Sequence, residues 1–420
     1  MSVRIAFGVA LTLVVTLLGV PAVDAALGRR SALSWLKGLF VGSRLAGWCA
    51  CYVLFGGLTG YSDLVLYYYP EAALATGGQV PYLHFPTSYG PLFPFVAGAL
   101  LPLWRDRAAV AIIMVAFEIS AVLVFVSLAL RVGNQHRLAV ARTLFVYMAN
   151  PAALYWSGMM AYNSSVILFF WVLAILLLLR GRYGLSTASL VAAVIAGKFL
   201  GVLAAPVWLA TPRRRNVVIA VLGVLCIGVG IGADRYGVDV LLPIRREGSR
   251  STAGNIWFLM SALLPDSKQG VLRYGPFAAL AMSAVGLAAW LASRWKESPT
   301  LEQLCGGIAC AGWTFMVLSK KTYPHYAPMF LLFSVFAVCR LRPFGVWRVV
   351  WLAVVGAIGI VEPGVWNALG QPQSLTLGWN PGVTSAHVLL AVMDLVLVAS
   401  AALLAVMSAR IAGGRAAPAQ

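Results

Sequence analysis

Long apolar runs recur along almost the whole chain, and arginine or lysine residues stand at many of their ends. A helix needs about 20 apolar residues to cross the hydrocarbon core of a bilayer, and several of these runs approach that length. Hydrophobic residues make up 61% of the chain and charged residues only 10%, whereas soluble domains carry about 25% charged residues. The sequence therefore predicts an all-α polytopic integral membrane protein.

The apolar runs predict about 11 to 13 transmembrane or re-entrant helices in a single membrane domain that covers residues 1–420. Basic residues favour the cytoplasmic side of a membrane, and this rule orients the runs. The first run, residues 5–23, fits either a retained span or a cleaved signal peptide. The predicted extracytoplasmic loops are residues 61–107, 234–275, 319–326 and 366–383.

The chain is strongly basic, with 31 Lys and Arg residues against 13 Asp and Glu residues. Their position at the ends of apolar runs is explained by orientation in the membrane and by contact with anionic lipid, so no nucleic acid partner is expected. The six cysteines lie in or beside apolar runs and show no CxxC spacing. They are typical of small core residues, and the sequence supports neither disulfides nor a zinc site.

The first predicted external loop begins with an acid and is rich in aromatic residues. Residues 61–94 read YSDLVLYYYPEAALATGGQVPYLHFPTSYGPLFP, and Asp63 follows an apolar run directly. Tyrosine offers a flat ring and a hydroxyl group, which suits contact with a sugar and also suits the interface of a bilayer. Both interpretations fit the loop. As an alternative to a chemical role, Asp63 would cap the helix that begins at Leu64.

Residues 183–215 predict a hairpin of two half-length helices. Both ends of the segment are polar, and its last residues, PRRR, favour the cytoplasm. To begin and end on one side, the segment must turn near its centre, which is Gly197-Lys198. This places Lys198 near the outer surface of the membrane, where irregular backbone is tolerated if it is buried in protein or lines a cavity.

These features together resemble a known family. An acid after an early outward span, followed by YYYPEAALATGGQVPY, YGPLFP and the hairpin GLSTASLVAAVIAGKFLGVLAAP, resembles the GT-C glycosyltransferases. The nearest resemblance is to the actinobacterial polyprenol-phosphate-mannose-dependent mannosyltransferases, and it covers roughly residues 45–330. The chain departs from their pattern at Phe199, where proline is usual, and at Ala161-Tyr162-Asn163, where many relatives have Gly-Gln-Xaa-Asn.

The resemblance implies a GT-C fold and transfer of a sugar, mannose in the nearest relatives, from a polyprenyl-phosphate carrier to a hydroxyl acceptor with inversion. Asp63 would be the general base, which takes the proton of the attacking hydroxyl. Cations on the same face would stabilise the leaving phosphate. No metal or cofactor is expected, because the chain has no DxD carboxylate pair and lysines can take that role. The acceptor would be a glycolipid, a glycan or another hydroxyl compound, and the reaction would take place at the extracytoplasmic face of the bacterial cytoplasmic membrane.

Ten further residues are candidates for substrate binding: Glu71, Tyr82, His84, Tyr89, Asn163, Lys198, Arg250, Lys320, Lys321 and His325. Each also has a plainer interpretation. Glu71 would be either a helper of Asp63 or a solvated charge, and the paired lysines would extend their ammonium groups to the interface. The histidines would be structural, and Arg250 would pair with Glu247.

Two acids inside predicted spans favour a different function. Ionisable groups are costly within a membrane and usually have a role there, so Glu118 and Asp394 are compatible with a proton-coupled transporter or a lipid-linked sugar flippase. Glu118 would alternatively pair with an arginine. Transporters usually show repeated halves, which this chain lacks. A membrane scaffold without catalytic activity is a third interpretation.

Overall fold

The structure is a computed structural model, and it describes residues 25–27, 29, 31–55, 62–132, 137–211, 251–261, 269–340, 346–371 and 385–414, together with positions 230, 235, 237, 239, 242, 243 and 245. These residues form an all-helical fold, with one isolated β-bridge between Pro81 and Phe85. The α-helices are α1 (Ala32–Trp48), α2 (Tyr69–Thr76), α3 (Phe93–Ala97), α4 (Arg107–Val132), α5 (Arg137–Ala149), α6 (Ser164–Leu179), α7 (Tyr183–Ile195), α8 (Ala205–Leu209), α9 (Ile256–Ser261), α10 (Gln269–Arg294), α11 (Leu301–Leu318), α12 (Pro328–Arg340), α13 (Val346–Ala368) and α14 (Ser385–Ala412).

Five of the described helices, α4, α10, α11, α13 and α14, are long and apolar enough to cross a membrane. A π-helical turn, Ala153–Met159, and α6 would together make a sixth span, bent by 102°. The prediction of an all-α membrane protein with several spans is therefore confirmed. The count of 11 to 13 segments is not confirmed. Two of the predicted segments, residues 5–23 and 217–233, lie largely or wholly outside the described residues.

The chain divides into two compact units. The N-terminal unit comprises residues 30–144 and 154–247, and the C-terminal unit comprises residues 1–29, 145–153 and 248–420. Each unit therefore gathers segments that are distant in sequence. The prediction of one membrane domain over the whole chain stays a prediction.

In the N-terminal unit, α4 packs against α1 and α6, and a buried ion pair lies at the contact with α1. Arg44 donates from Nε to Glu118 Oε2 at 3.1 Å and from Nη2 to Glu118 Oε1 at 3.2 Å, and both side chains are fully buried. Gly158 leaves room for the arginine, since a Cβ there would lie 3.0 Å from Arg44 Cδ. The interpretation that Glu118 pairs with an arginine is confirmed.

The predicted hairpin is also confirmed. Helix α7 ends at Ile195, and a 3₁₀-helix, Phe199–Ala204, runs back along it into α8. Trp208 Nε1 donates to Ser186 Oγ at 2.8 Å, and a Cβ on Gly201 would lie 2.7 Å from the carbonyl carbon of Ala193. These contacts show that the two arms are antiparallel and that the turn lies at residues 196–198.

The predicted external loops contain helical structure of their own. Residues 92–104, within the predicted loop 61–107, form the short helix α3 and a series of turns. The segment 234–275 contains α9 and the beginning of α10, and α13 continues to Ala368 at the start of the segment 366–383. Apolar residues such as those in IWFLMS favour helix even between predicted spans.

In the C-terminal unit, α14 packs along α11 and α13, and α11 packs against α12. Gly306 allows the close approach of α11 to α14, since a Cβ there would lie 2.7 Å from the Ser408 carbonyl oxygen. Helix α11 begins with a capping box in which the Thr300 hydroxyl accepts from Gln303 N and the Gln303 side chain accepts from Thr300 N. This arrangement satisfies two of the amide groups exposed at a helix start.

The ion pair predicts an asymmetric response to mutation. Arg44→Met leaves the Glu118 carboxylate buried without its cation, and we expect a loss of about 3–5 kcal/mol of stability. The double variant Arg44→Met/Glu118→Met removes both charges, and we expect it to recover most of that loss. Thermal unfolding midpoints in detergent measure both effects. A double variant no more stable than Arg44→Met would contradict this account.

Candidate functional site

Asp63 lies at the start of a π-helical turn, Leu64–Tyr68, that leads into α2. Its side chain makes no capping hydrogen bond to that helix. Instead, Asp63 Oδ2 accepts a hydrogen bond from the Tyr89 hydroxyl, with 3.4 Å between the two oxygens. The capping interpretation is therefore wrong. Asp63 is half-buried.

Tyr89 connects Asp63 to Lys198. The Tyr89 ring is buried and packs edge-on against Tyr68, with ring centres 5.0 Å apart. The Lys198 ammonium lies over the Tyr89 ring, 5.3 Å from its centre, and the Lys198 side chain is only 5% exposed. An ammonium over an aromatic face is attracted by the electrons of the ring. Asp63 and Lys198, which are distant in sequence, therefore both contact Tyr89.

Backbone hydrogen bonds dock the aromatic loop on the hairpin turn. Gly90 N donates to Gly197 O at 3.1 Å, and Leu92 N donates to Ile195 O at 2.8 Å. These carbonyl groups lie at the end of α7, where the helix supplies no partner of its own. Gly90 is required for this approach, since a Cβ there would lie 2.3 Å from the Val194 carbonyl oxygen.

Glu71 supports Tyr89 from the other side. It is only 8% exposed, and its Oε2 accepts from the Thr87 hydroxyl at 2.6 Å. The same hydroxyl oxygen accepts from Tyr89 N at 3.1 Å. The interpretation of Glu71 as a solvated charge is wrong, because the loop folds over α2 and buries it. Glu71 positions the backbone of Tyr89.

Tyr82 and His84 shape the loop. The Tyr82 hydroxyl donates to the Tyr89 carbonyl oxygen, and Tyr82 has a positive φ of 66°. Burial raises the pKa of the Tyr82 hydroxyl, and the negative charge of Glu71 raises it further, so this group remains a donor at neutral pH. Val80 N donates to His84 Nδ1 at 2.8 Å. His84 is exposed and closes a turn, in agreement with the structural interpretation.

Asn163 joins the same aromatic cluster. Its Oδ1 accepts from the Tyr68 hydroxyl at 3.2 Å, and its backbone N donates to that hydroxyl oxygen at 3.3 Å. Tyr68 also packs edge-on against Tyr162. Asn163 Nδ2 and Ser62 Oγ are buried without a hydrogen-bond partner among the described residues. Asn163 is therefore fixed by Tyr68, with its amide donor available.

In the C-terminal unit, the segment 319–326 is held by the loop 251–255. Thr252 N donates to Lys320 O at 3.0 Å, and Thr322 N donates to Thr252 Oγ1 at 2.9 Å. Thr252 Oγ1 donates to Thr322 O at 2.7 Å. Asn255 Nδ2 is directed at the Lys320 carbonyl oxygen as well. This reciprocal bonding fixes the backbone that carries both lysines.

Three candidate cations lie on this segment. The Lys321 ammonium is 5.5 Å from the centre of the Tyr323 ring. The His325 ring stacks on the same tyrosine ring, with 5.0 Å between the ring centres and an interplanar angle of 12°. Lys321 is 8% exposed, whereas Lys320 is half-buried with its ammonium over Phe277. Lys321 and His325 thus share Tyr323, and the interfacial interpretation fits Lys320 better than Lys321.

Other candidates give a mixed result. Arg250 lies outside the described residues. Within the described part of the chain, no group of three or more His, Cys, Asp or Glu residues is placed to hold a metal ion.

The supporting roles of Tyr68 and Thr87 were not predicted, because a single sequence gives no signal for them. Sequence analysis also missed Glu362, whose signal was the same as for Asp394: an acid inside an apolar run.

Comparison of the chain with protein-family models, with curated proteins and with solved structures finds no match. The resemblance to GT-C glycosyltransferases therefore remains an expectation from the sequence.

The docking of the loop predicts opposite effects for two glycine substitutions. Gly90→Ala forces a Cβ against the end of α7, and we expect a loss of about 1–3 kcal/mol and faster proteolysis of the loop. Gly184→Ala is the matched control, since nothing lies within 4 Å of its added Cβ in α7; we expect a gain of about 0.4–1 kcal/mol. Thermal midpoints and limited proteolysis measure both. Equal stability of Gly90→Ala and the parent would show that the loop does not dock in this way.

Proposed function

We propose that this protein is a membrane glycosyltransferase. It transfers a sugar, mannose by resemblance, from a polyprenyl-phosphate carrier to an acceptor hydroxyl at the extracytoplasmic face of the bacterial membrane, with inversion. The observation that supports it best is the convergence of Asp63 and Lys198 on Tyr89. This arrangement supplies a carboxylate and a cation beside an aromatic surface, which are the groups that the reaction needs.

In the proposed reaction, Asp63 takes the proton of the acceptor hydroxyl as that oxygen attacks the anomeric carbon. The new carbon–oxygen bond forms while the bond from the anomeric carbon to the phosphate oxygen breaks. The bonding electrons leave with the phosphate, which needs no proton from an acid. The Tyr89 hydroxyl orients the Asp63 carboxylate, and its partial exposure leaves it accessible to an acceptor.

Lys198 is proposed to stabilise the charge on the leaving phosphate. Its ammonium is nearly buried, and a cation acts more strongly on an anion in such surroundings than in water. In the C-terminal unit, Lys321 and His325 form a second cationic cluster on Tyr323. We assign that cluster to binding a phosphate or the acceptor. The rings of Tyr82 and Tyr89 and the amide of Asn163 are proposed to contact the sugar.

One of the two acids that favoured a transporter now has a structural explanation. Glu118 is satisfied by Arg44 and needs no further role to explain its burial. Asp394, the other acid that favoured a transporter, is buried in α14.

The decisive measurement is sugar transfer by membranes that contain the parent or Asp63→Asn in equal amounts. Radiolabelled polyprenyl-phosphate mannose is the donor and a crude lipid extract is the acceptor. Loss of a general base should reduce the rate by about 10²–10⁴-fold. Glu297→Gln, an exposed acid in the turn between α10 and α11, is the control and should leave the rate unchanged. Equal product from the parent and Asp63→Asn would remove Asp63 from the mechanism.

Lys198 allows a second test. Lys198→Met should lower the rate by about 10²–10³-fold, as for loss of one group that stabilises developing charge. Lys198→Arg keeps the positive charge and should retain more activity than Lys198→Met. Lys296→Met, at an exposed position, is the control. If Lys198→Met transferred sugar at the parent rate, the cation assignment would be wrong.

A further inference from the structure

Two acidic side chains in the C-terminal unit are buried inside helices that are apolar and long enough to span a membrane. Glu362 on α13 is 2% exposed and Asp394 on α14 is fully buried. The two carboxyl groups interact electrostatically. Val365 and Trp366, one turn from Glu362, pack in one apolar cluster with Leu390, one turn from Asp394, and with Met393 next to it.

Asp394 lacks the hydrogen bonds that a buried carboxylate normally has. Neither of its oxygens has a hydrogen-bond partner of ordinary geometry among the described residues. The backbone N–H of Gly254 faces the carboxylate. A buried polar group without a partner is costly, and each case requires an explanation.

The acids lie well inside their helices. Glu362 is six residues from Ala368 at the end of α13, and Asp394 is nine residues from Ser385 at the start of α14. At 1.5 Å per residue these distances are about 9 Å and about 14 Å. The arginines of the same helices are farther away: Arg348 lies about 21 Å from Glu362 along α13, and Arg410 about 24 Å from Asp394 along α14.

The neighbouring elements carry few groups that could neutralise the pair. Apart from Arg348, Arg410 and the two acids themselves, the described titratable side chains on or beside α13, α14 and the elements packed against them are Glu302, Cys305, Cys310, Cys339, Tyr323, His325, Tyr326 and His387. On the adjoining segment, Lys321 and His325 both lie against Tyr323.

Two carboxylates buried close together in an apolar interior cannot both hold their charge, because burial and mutual repulsion each oppose ionisation. A metal ion fits poorly, since a Gly254 donor faces Asp394 where a metal would need another oxygen. We propose that Glu362 and Asp394 form a site for a single proton, held on Glu362 while Asp394 faces the Gly254 N–H. This site is independent of the proposed sugar transfer.

The proton would stabilise the contact between α13 and α14, which also supports the segment 319–326. Gly254 belongs to the loop that bonds to Lys320 and Thr322. One turn before Glu362, Gly359 packs against Pro324, since a Cβ there would lie 3.0 Å from Pro324 Cβ. Loss of the proton would therefore introduce repulsion between α13 and α14 one turn from the contact of Gly359 with Pro324.

Infrared spectroscopy of the purified full chain in detergent tests the site, because a protonated carboxyl group has a carbonyl absorption that a carboxylate lacks. We expect this band in the parent at neutral pH. It should be lost in Glu362→Gln and retained in Asp394→Asn, whose remaining acid stays protonated. Glu297→Gln, an exposed acid, is the control and should keep the band. Labelling the parent with carbon-13 glutamate should shift the band, and labelled aspartate should not, which tests the assignment without any substitution.

The thermal midpoint supplies a second readout. The folded chain binds one proton more than the unfolded chain does near neutral pH, so stability should fall as pH rises. The double variant Glu362→Gln/Asp394→Asn should lose that part of the pH dependence. Absence of the band from the parent, or its persistence in the double variant, would overturn the proposal.

Discussion

Two backbone hydrogen bonds, from Gly90 and Leu92 to the end of α7, are the constraint on which the N-terminal unit's candidate site depends. They satisfy carbonyl groups that the end of a helix would otherwise leave without partners. In the same step they bring the loop that contains Tyr89 to the turn that contains Lys198. The lack of a side chain at Gly90 makes this approach feasible. In the N-terminal unit, the same two hydrogen bonds therefore satisfy the end of α7 and bring the parts of the candidate site together.

An acid that is buried in apolar surroundings needs a partner that neutralises its carboxylate or donates a hydrogen bond to it. Glu118 takes a guanidinium partner, whose two donors match the geometry of its carboxylate. Glu71 takes a short hydrogen bond from a threonine hydroxyl. Glu362 and Asp394 interact electrostatically with each other, and the single proton that we propose there would remove the excess charge. The sequence signal, an acid in or beside an apolar run, is the same in all of these cases, and only the fold distinguishes them.

Features governed by local pattern could be predicted from the sequence, whereas those governed by distant contacts could not. The bounds of α6 follow from an uninterrupted apolar run, and the hairpin turn at Lys198 follows from the polarity of both segment ends. Position after a span also singled out Asp63. In contrast, the bonds of Tyr68 to Asn163 and of Thr252 to Thr322 join residues with no common pattern. A single sequence offers no covariation by which such pairs are found.

Asp63, Glu71 and Glu118, three acids of the N-terminal unit, differ in how exposed their side chains are. Exposure determines which of them an acceptor hydroxyl can reach. A guanidinium engages both oxygens of Glu118, which is fully buried, so no acceptor hydroxyl reaches it. Glu71 is nearly buried and is engaged by Thr87. Asp63 is half-buried, and its Oδ2 accepts a hydrogen bond from the Tyr89 hydroxyl. Proton transfer requires hydrogen-bond reach between the base and the hydroxyl. Of these three acids Asp63 is the most exposed, which supports our proposal that it is the base.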